Sequence, residues 1–164
     1  MARRLVLGPE QLARVEAALY EEDEGARGAA LAGLQAPEEL HAYASHYNWD
    51  DGARGLRHVI ESSACDRGTA LMIYWLTDGI FAEERPDCGG DVWDLAMRIE
   101  SLFLSGFYER CEFRFDPRDM GGDWRFILQK PRAVPEEMTR ATPGEVVDVS
   151  WDALRDEARG PSGE

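Results

Sequence analysis

The residues best able to do chemistry stand in one stretch. His46-Tyr47-Asn48-Trp49-Asp50-Asp51-Gly52 joins a histidine, an amide and two adjacent carboxylates, and His41 lies about one and a half helical turns upstream. Carboxylates beside imidazoles are the groups of general acid/base catalysis. Paired carboxylates also suit a hard cation. His41, His46, Asp50 and Asp51 are therefore the candidate catalytic residues of a small enzyme. The same string reads as a helix-to-helix connection. Asn48 stops one helix, Asp50 or Asp51 caps the next, and Trp49 plugs the core. Turn chemistry accounts for every residue type there, so it takes precedence and no catalytic residue is assigned.

Other chemistries find less. The cysteines, Cys65, Cys88 and Cys111, are odd in number and widely spaced. A disulfide framework is not expected, and buried free thiols are, Cys111 above all. Cys65 precedes a helix start, which can activate a thiol, yet no base is fixed beside it. No Cys-x-x-Cys or His-x-x-x-His pair offers zinc its ligand spacing, so no metal site and no cofactor are expected. Gly89-Gly90 leads into no phosphate-loop pattern, and no Gly-x-Ser-x-Gly elbow exists.

Charge is the remaining signal. The chain carries 32 acids against 18 bases, a formal charge of -14 and a pI near 4.6. Phosphate-bound partners are recognised by Lys and Arg, so nucleic acid and anionic membranes are not expected partners. The acidity is uneven. Pro9 to Leu40 holds eight acids and two bases, Ala133 to Glu164 eight and three, and Arg110 to Lys130 four and five. Glu21, Glu22, Asp23 and Glu24, with Asp152, Asp156 and Glu157, are the candidate contacts for a basic protein partner. Trp151 is the candidate interface anchor, the tryptophan expected to be most exposed. Simple solubility is the competing account of the same charge.

These residues need elements to place them. Pro9 opens a helix with Leu12, Val15 and Leu19 at helical spacing, and Glu21 to Gly25 ends or bends it. Ala29 to Leu34 continues as a short helix. Pro37 opens the next, its stripe being Leu40, Tyr43, Ala44 and Tyr47. A helix resumes over Leu56, Val59 and Ile60. Asp66 caps another that runs through seven apolar residues from Ala70 to Leu76, the buried centre, with Gly68 packed closely on a neighbour. Trp75 is expected in the core. Asp91 caps a helix that carries Trp93, also expected in the core, and Gly106 closes it.

Beyond Phe107 the period changes to two. Cys111, Phe113 and Phe115 alternate with polar residues, as do Trp124, Phe126 and Leu128, which predicts an antiparallel hairpin with one buried face. Val146, Val147 and Val149 offer a third strand, and Ser150 caps a last helix over 151–158. The expectation is a mostly helical α+β fold in one domain over 1–158. It has five or six helices (9–106), a small β element (107–130 and 145–149) and a C-terminal helix, with 159–164 as a flexible tail. No apolar run approaches the ~20 residues of a membrane span. Gly8-Pro9-Glu10 follows Arg3 and Arg4 without a signal-peptide core, so a reducing cytoplasm is expected.

Leu40-His41-x-x-Ala44-x-x-Tyr47-Asn48-Trp49-Asp50-Asp51-Gly52 and Cys65-Asp66-x-Gly68-Thr69-Ala70-Leu71-x-x-Tyr74-Trp75 resemble an uncharacterised bacterial family, the domain of unknown function with serial four-two-seven-four. The resemblance covers residues 38–80 and extends toward Gly106. It implies no activity and no catalytic residues. Small acidic bacterial domains of this type often act as immunity or accessory proteins, an association by type. The leading reading is a non-enzymatic, immunity-type inhibitor whose acidic face occludes a basic toxin or effector. A small enzyme at the Asn48–Gly52 turn and a homo-oligomeric module using the hairpin edge are the alternatives.

Overall fold

Helix starts in this chain are written by prolines and short acceptor side chains. The computed structural model describes residues 2–77, 90–120 and 134–159. Helix α1 (Pro9–Tyr20) begins at a proline, and the Gln11 side chain accepts the Gly8 N–H at 2.9 Å. Helix α2 (Glu24–Ala32) is capped by Asp23, whose Oδ1 accepts the Ala26 N–H at 2.7 Å. Helix α3 (Pro37–Ser45) again begins at proline. Helix α4 (Arg54–Glu61) follows a short 3-10 turn over Trp49–Asp51. Helix α5 (Arg67–Leu76) is capped by Asp66, helix α6 spans Gly90–Leu104, and helix α7 spans Trp151–Arg159. Ser150 Oγ accepts the Ala153 N–H at 3.4 Å at the start of α7.

The apolar stripes meet in a core that runs from Leu5 to Leu154. α5 is its centre, as seven consecutive apolar residues require. Ala70, Leu71, Ile73, Tyr74 and Trp75 are all buried, and the helix lies against α3 and α6. Trp75 is in the core as expected, while Trp93 is half-buried. α1 packs on α2, α3 and α7. Gly68 meets Phe113 so closely that a Cβ there would stand 2.0 Å from the Phe113 carbonyl oxygen.

One polar device, unannounced by periodicity, joins α1 to α3. Glu39 is 1% exposed. Its Oε1 takes the Arg14 guanidinium at 2.7–2.8 Å, and its Oε2 accepts the Gln35 and Ala36 N–H groups at 3.2 and 3.0 Å. A buried carboxylate persists only when its lone pairs are filled in this way.

The β element differs from expectation. Strand β1 (Arg3–Arg4) pairs in parallel with strand β2 (Val147–Asp148), Arg3 opposite Val147. The antiparallel hairpin is absent from the described residues. Its first arm lies instead beside 142–145, with a parallel bridge from Phe113 to Glu145. The reason is a full set of donors elsewhere. The Glu112 and Phe113 N–H groups go to Asp66, at 2.6 and 3.4 Å. The Arg114 N–H goes to the Glu145 carbonyl at 2.8 Å, and the Phe115 N–H to Thr142 Oγ1 at 2.8 Å. Four successive backbone donors are thus satisfied without an antiparallel partner. Alternation reports one buried face, and Phe113 does bury it, but alternation does not name the pairing strand. Trp124, Phe126 and Leu128, like Cys88 and residues 160–164, lie outside the described residues. Arg159, placed in the tail by sequence, is the last residue of α7.

Candidate functional site

The two histidines of the candidate acid/base set are engaged elsewhere. His41 is buried on α3. Its ring stacks on Phe113 with centroids 4.4 Å apart, and its Nδ1 shares a 2.8 Å hydrogen bond with Thr69 Oγ1. Burial without a countercharge lowers its pKa to about 4, so the ring is neutral at pH 7. His46 closes α3. Its Nε2–H donates to the Val149 carbonyl at 2.6 Å, and its ring stacks on Trp151 at 4.2 Å. Asp50 and Asp51 are exposed in the 3-10 turn. Among the described residues no hydrogen bond or ion pair joins either histidine to either carboxylate.

The Asn48–Gly52 stretch behaves as a connection. Asn48 Oδ1 accepts the Asp50 N–H at 3.2 Å, and Tyr47 Oη donates to the Gly52 carbonyl at 2.8 Å. Gly52 has φ +74°, a left-handed value that favours glycine. The expected cap of α4 by Asp50 or Asp51 is not formed. The Ala53 N–H is taken instead by Asp91 Oδ2 from α6, at 3.3 Å.

Asp66 caps α5 and does more. Its Oδ1 accepts from Gly68 N–H at 2.7 Å, while the same carboxylate holds Glu112 and Phe113. Burial pushes its carboxyl above the ordinary range, and the three N–H groups pull it back only in part. Of the described cysteines, Cys65 is the buried one and Cys111 is half-buried. Burial pushes both thiols up, so neither is an activated nucleophile. No group of three or more His, Cys, Asp or Glu that could hold a metal occurs among the described residues.

The acidic segments meet. α7 lies on α1, with Arg155 on Glu16 at 3.0 Å and the Tyr20 and Trp151 rings 5.9 Å apart. Glu21 to Glu24 follow α1 directly, so their carboxylates and those of Asp152 and Asp156 belong to neighbouring elements, all exposed. A shallow recess there is lined by Glu16, Tyr20, Glu21, Glu22 and Arg155. Tyr20, 57% exposed, is its one large aromatic wall. Trp151 is half-buried between His46 and Tyr20, with the Arg155 guanidinium 5.3 Å from its ring. It holds α7 to the body, and Tyr20 takes the exposed aromatic position. Glu157 lies on α7, but its side chain is outside what is described.

A second concavity, about 340 Å³, lies between α1–α2 and α3–α4. Arg27, Tyr43, Tyr47, Asp51 and Arg54 line it. Sequence reading singled out neither Tyr20 nor Arg27 as a site residue. Glu16 and Tyr20 are four residues apart beside an acidic run, and Arg27 is one of two bases among the eight acids of Pro9 to Leu40. Those were the available signals.

Residues 35–104 match the model of a family described as a domain of unknown function (DUF4274), in agreement with the motifs of α3 to α5. Comparison with curated proteins and with solved structures gives no match. The matched segment contains α3 to α6, while α1, α2 and α7 flank it.

Proposed function

We propose, with the matched domain as premise, that the chain is a non-enzymatic protein-binding module of the bacterial cytoplasm, an immunity-type inhibitor that covers a basic surface of its partner. The observation that carries this reading is the packing of α7 on α1. It sets Glu16, Glu21 and Glu22 beside the exposed Tyr20, with Arg155 on Glu16, and brings up α7, which carries the exposed Asp152 and Asp156. An exposed aromatic flanked by carboxylates provides an anchor and a steering field together. The face comes entirely from elements flanking the matched segment, so the domain serves as its platform. No helix is long and apolar enough to cross a membrane among the described residues. The acid/base alternative loses support because His41 and His46 are committed to Thr69 and Val149. The oligomer alternative relied on a hairpin edge that the described residues lack.

The test is affinity capture from the native host at low and then moderate salt, read by mass spectrometry, in parallel with Glu21→Lys/Glu22→Lys. One basic protein recovered near stoichiometry, released by salt and missed by the charge-reversed variant, is the expected result. Capture that ignores salt and charge reversal, or a clean bait, would overturn the reading.

A further inference from the structure

The concavity between α1–α2 and α3–α4 has two polar groups that pair with no other described residue. Tyr43 is 3% exposed, and its hydroxyl has no hydrogen-bond partner among the described residues. It lines the cleft, and its Oη stands 2.2 Å from where a Cβ on Gly55, another lining residue, would be. A larger residue at 55 would close off this hydroxyl. Arg27, on α2, lines the same cleft. Among the described arginine side chains it is the one with no ion pair, hydrogen bond or ring contact, although acids outnumber bases almost two to one. Neither group is sealed from the open cleft, so both are available to a ligand.

The cleft is lined by charges of both signs. Arg27 lies within electrostatic reach of both Tyr43 and Tyr47, and so does the exposed carboxylate of Asp51. Arg54 and Glu24, 3.9 Å apart, neutralise one another at the rim. What remains is a guanidinium, a carboxylate and a phenol hydroxyl lining one cleft, with no ion pair formed between Arg27 and Asp51. Burial pushes the Tyr43 phenol well above its usual range, so at neutral pH it can only donate or accept as a neutral hydroxyl. The α2 side of the cleft is open at the exposed Gly28, where an added Cβ would meet no atom within 4 Å. The volume of about 340 Å³ is at the lower end of small-molecule sites.

We infer that this cleft binds a free amino acid as its zwitterion, the carboxylate on Arg27 and the Tyr43 hydroxyl, the ammonium group on Asp51. Arg27 supplies the planar fork that carboxylates pair with. Asp51 discriminates against ligands that have a carboxylate and no cation. The inference does not use the acidic face on α1 and α7 and stands or falls separately from it.

The experiment is isothermal titration of the whole protein with each standard L-amino acid, with acetate and ethanolamine as half-ligand controls. At least one amino acid binds, and both controls fail. Arg27→Gln weakens binding roughly tenfold to a hundredfold. Tyr43→Phe, which removes an oxygen that bonds to nothing in the protein, weakens it without lowering Tm. Gly28→Leu, which adds bulk to open space, abolishes binding in a folded protein. Absence of heat for every amino acid overturns the inference. So does binding that survives Arg27→Gln and Gly28→Leu, or acetate binding as tightly as the best amino acid.

Discussion

Burying an imidazole with no countercharge gives His41 a pH signature that can be worked out in sign. Its pKa is 6.5 when unfolded and about 4 when folded, so between those values the unfolded chain holds the extra proton. Stability from this residue is complete above pH 6.5 and is lost as pH falls toward 4, by about 3 kcal/mol across the window. Urea titrations at pH 7 and pH 4.5 on the wild type and His41→Gln check it. The wild type loses more stability than the variant, and equal losses would mean the ring is not neutral in the fold. Asp66 makes a second residue-scale prediction. In Asp66→Asn one oxygen can still serve Gly68 and Phe113, but an NH2 group then faces the Glu112 N–H, which now sits 2.6 Å from Oδ2. Two donors in contact replace a charge-assisted bond, and the expected loss is about 2–3 kcal/mol by denaturant titration. A loss under about 0.5 kcal/mol, the range of an ordinary surface change, would show that the cap does not organise this corner.

Two glycines in helices show how the element sets the sign of one substitution. Gly68→Ala on α5 drives a methyl to 2.0 Å from the Phe113 carbonyl, and a backbone segment cannot move aside cheaply. A loss of about 3 kcal/mol is expected. Gly28→Ala on α2 meets nothing within 4 Å and should gain about 0.5–1 kcal/mol from helix propensity. Thermal melts of both variants read the contrast, and shifts of the same sign would refute it. The same elements explain what could be read from the chain alone. Helices α1 and α3 to α6 were legible because their signals are local: Pro9, Pro37 and Asp66 at the starts, and apolar residues at a 3.6 spacing; α2, expected over 29–34, begins instead at Glu24 behind the Asp23 cap, and Asp91, expected to cap α6, lies in its first turn. Close packing at Gly68 was legible because a glycine after a cap needs a reason. The pairing of 111–115 with 142–145 was not, since it depends on side chains about thirty to fifty residues away in sequence, Asp66 and Thr142, taking backbone donors. By its place two residues after Pro37, Glu39 is an ordinary first-turn acid, and only the arrival of Arg14 from α1 turns it into a buried tie. At the candidate site the acids were chosen by type, and Trp151, expected as the exposed anchor, is half-buried against His46 and Tyr20. That Tyr20 takes the exposed aromatic place beside the acids depends on how α7 docks, which no local pattern encodes.

At the scale of the whole molecule, charge acts in two opposed ways that one variable separates. The net charge of -14 repels itself, which disfavours the compact state. The ion pairs that oppose it are mostly exposed on both partners, as in Arg3 with Glu145 and Arg57 with Glu61, and such pairs contribute about 0–1 kcal/mol each. Among the described pairs only Glu39 and Asp116 are buried carboxylates, each met by a partly exposed arginine, and such pairs are screened less than fully exposed ones. Repulsion therefore outweighs attraction among the screenable terms. Raising NaCl from about 10 mM to about 300 mM, which shortens the screening length from about 30 Å to under 8 Å, should raise Tm by a few degrees. The same salt should weaken capture of a basic partner, because there the acidic face is attractive. A scan of Tm and of capture over one salt series tests both. If Tm falls with salt, the surface pairs stabilise more than the excess charge destabilises, and the acids are arranged for folding. If Tm rises while capture falls, the molecule keeps a surface that costs it stability, and binding is the reason for that surface.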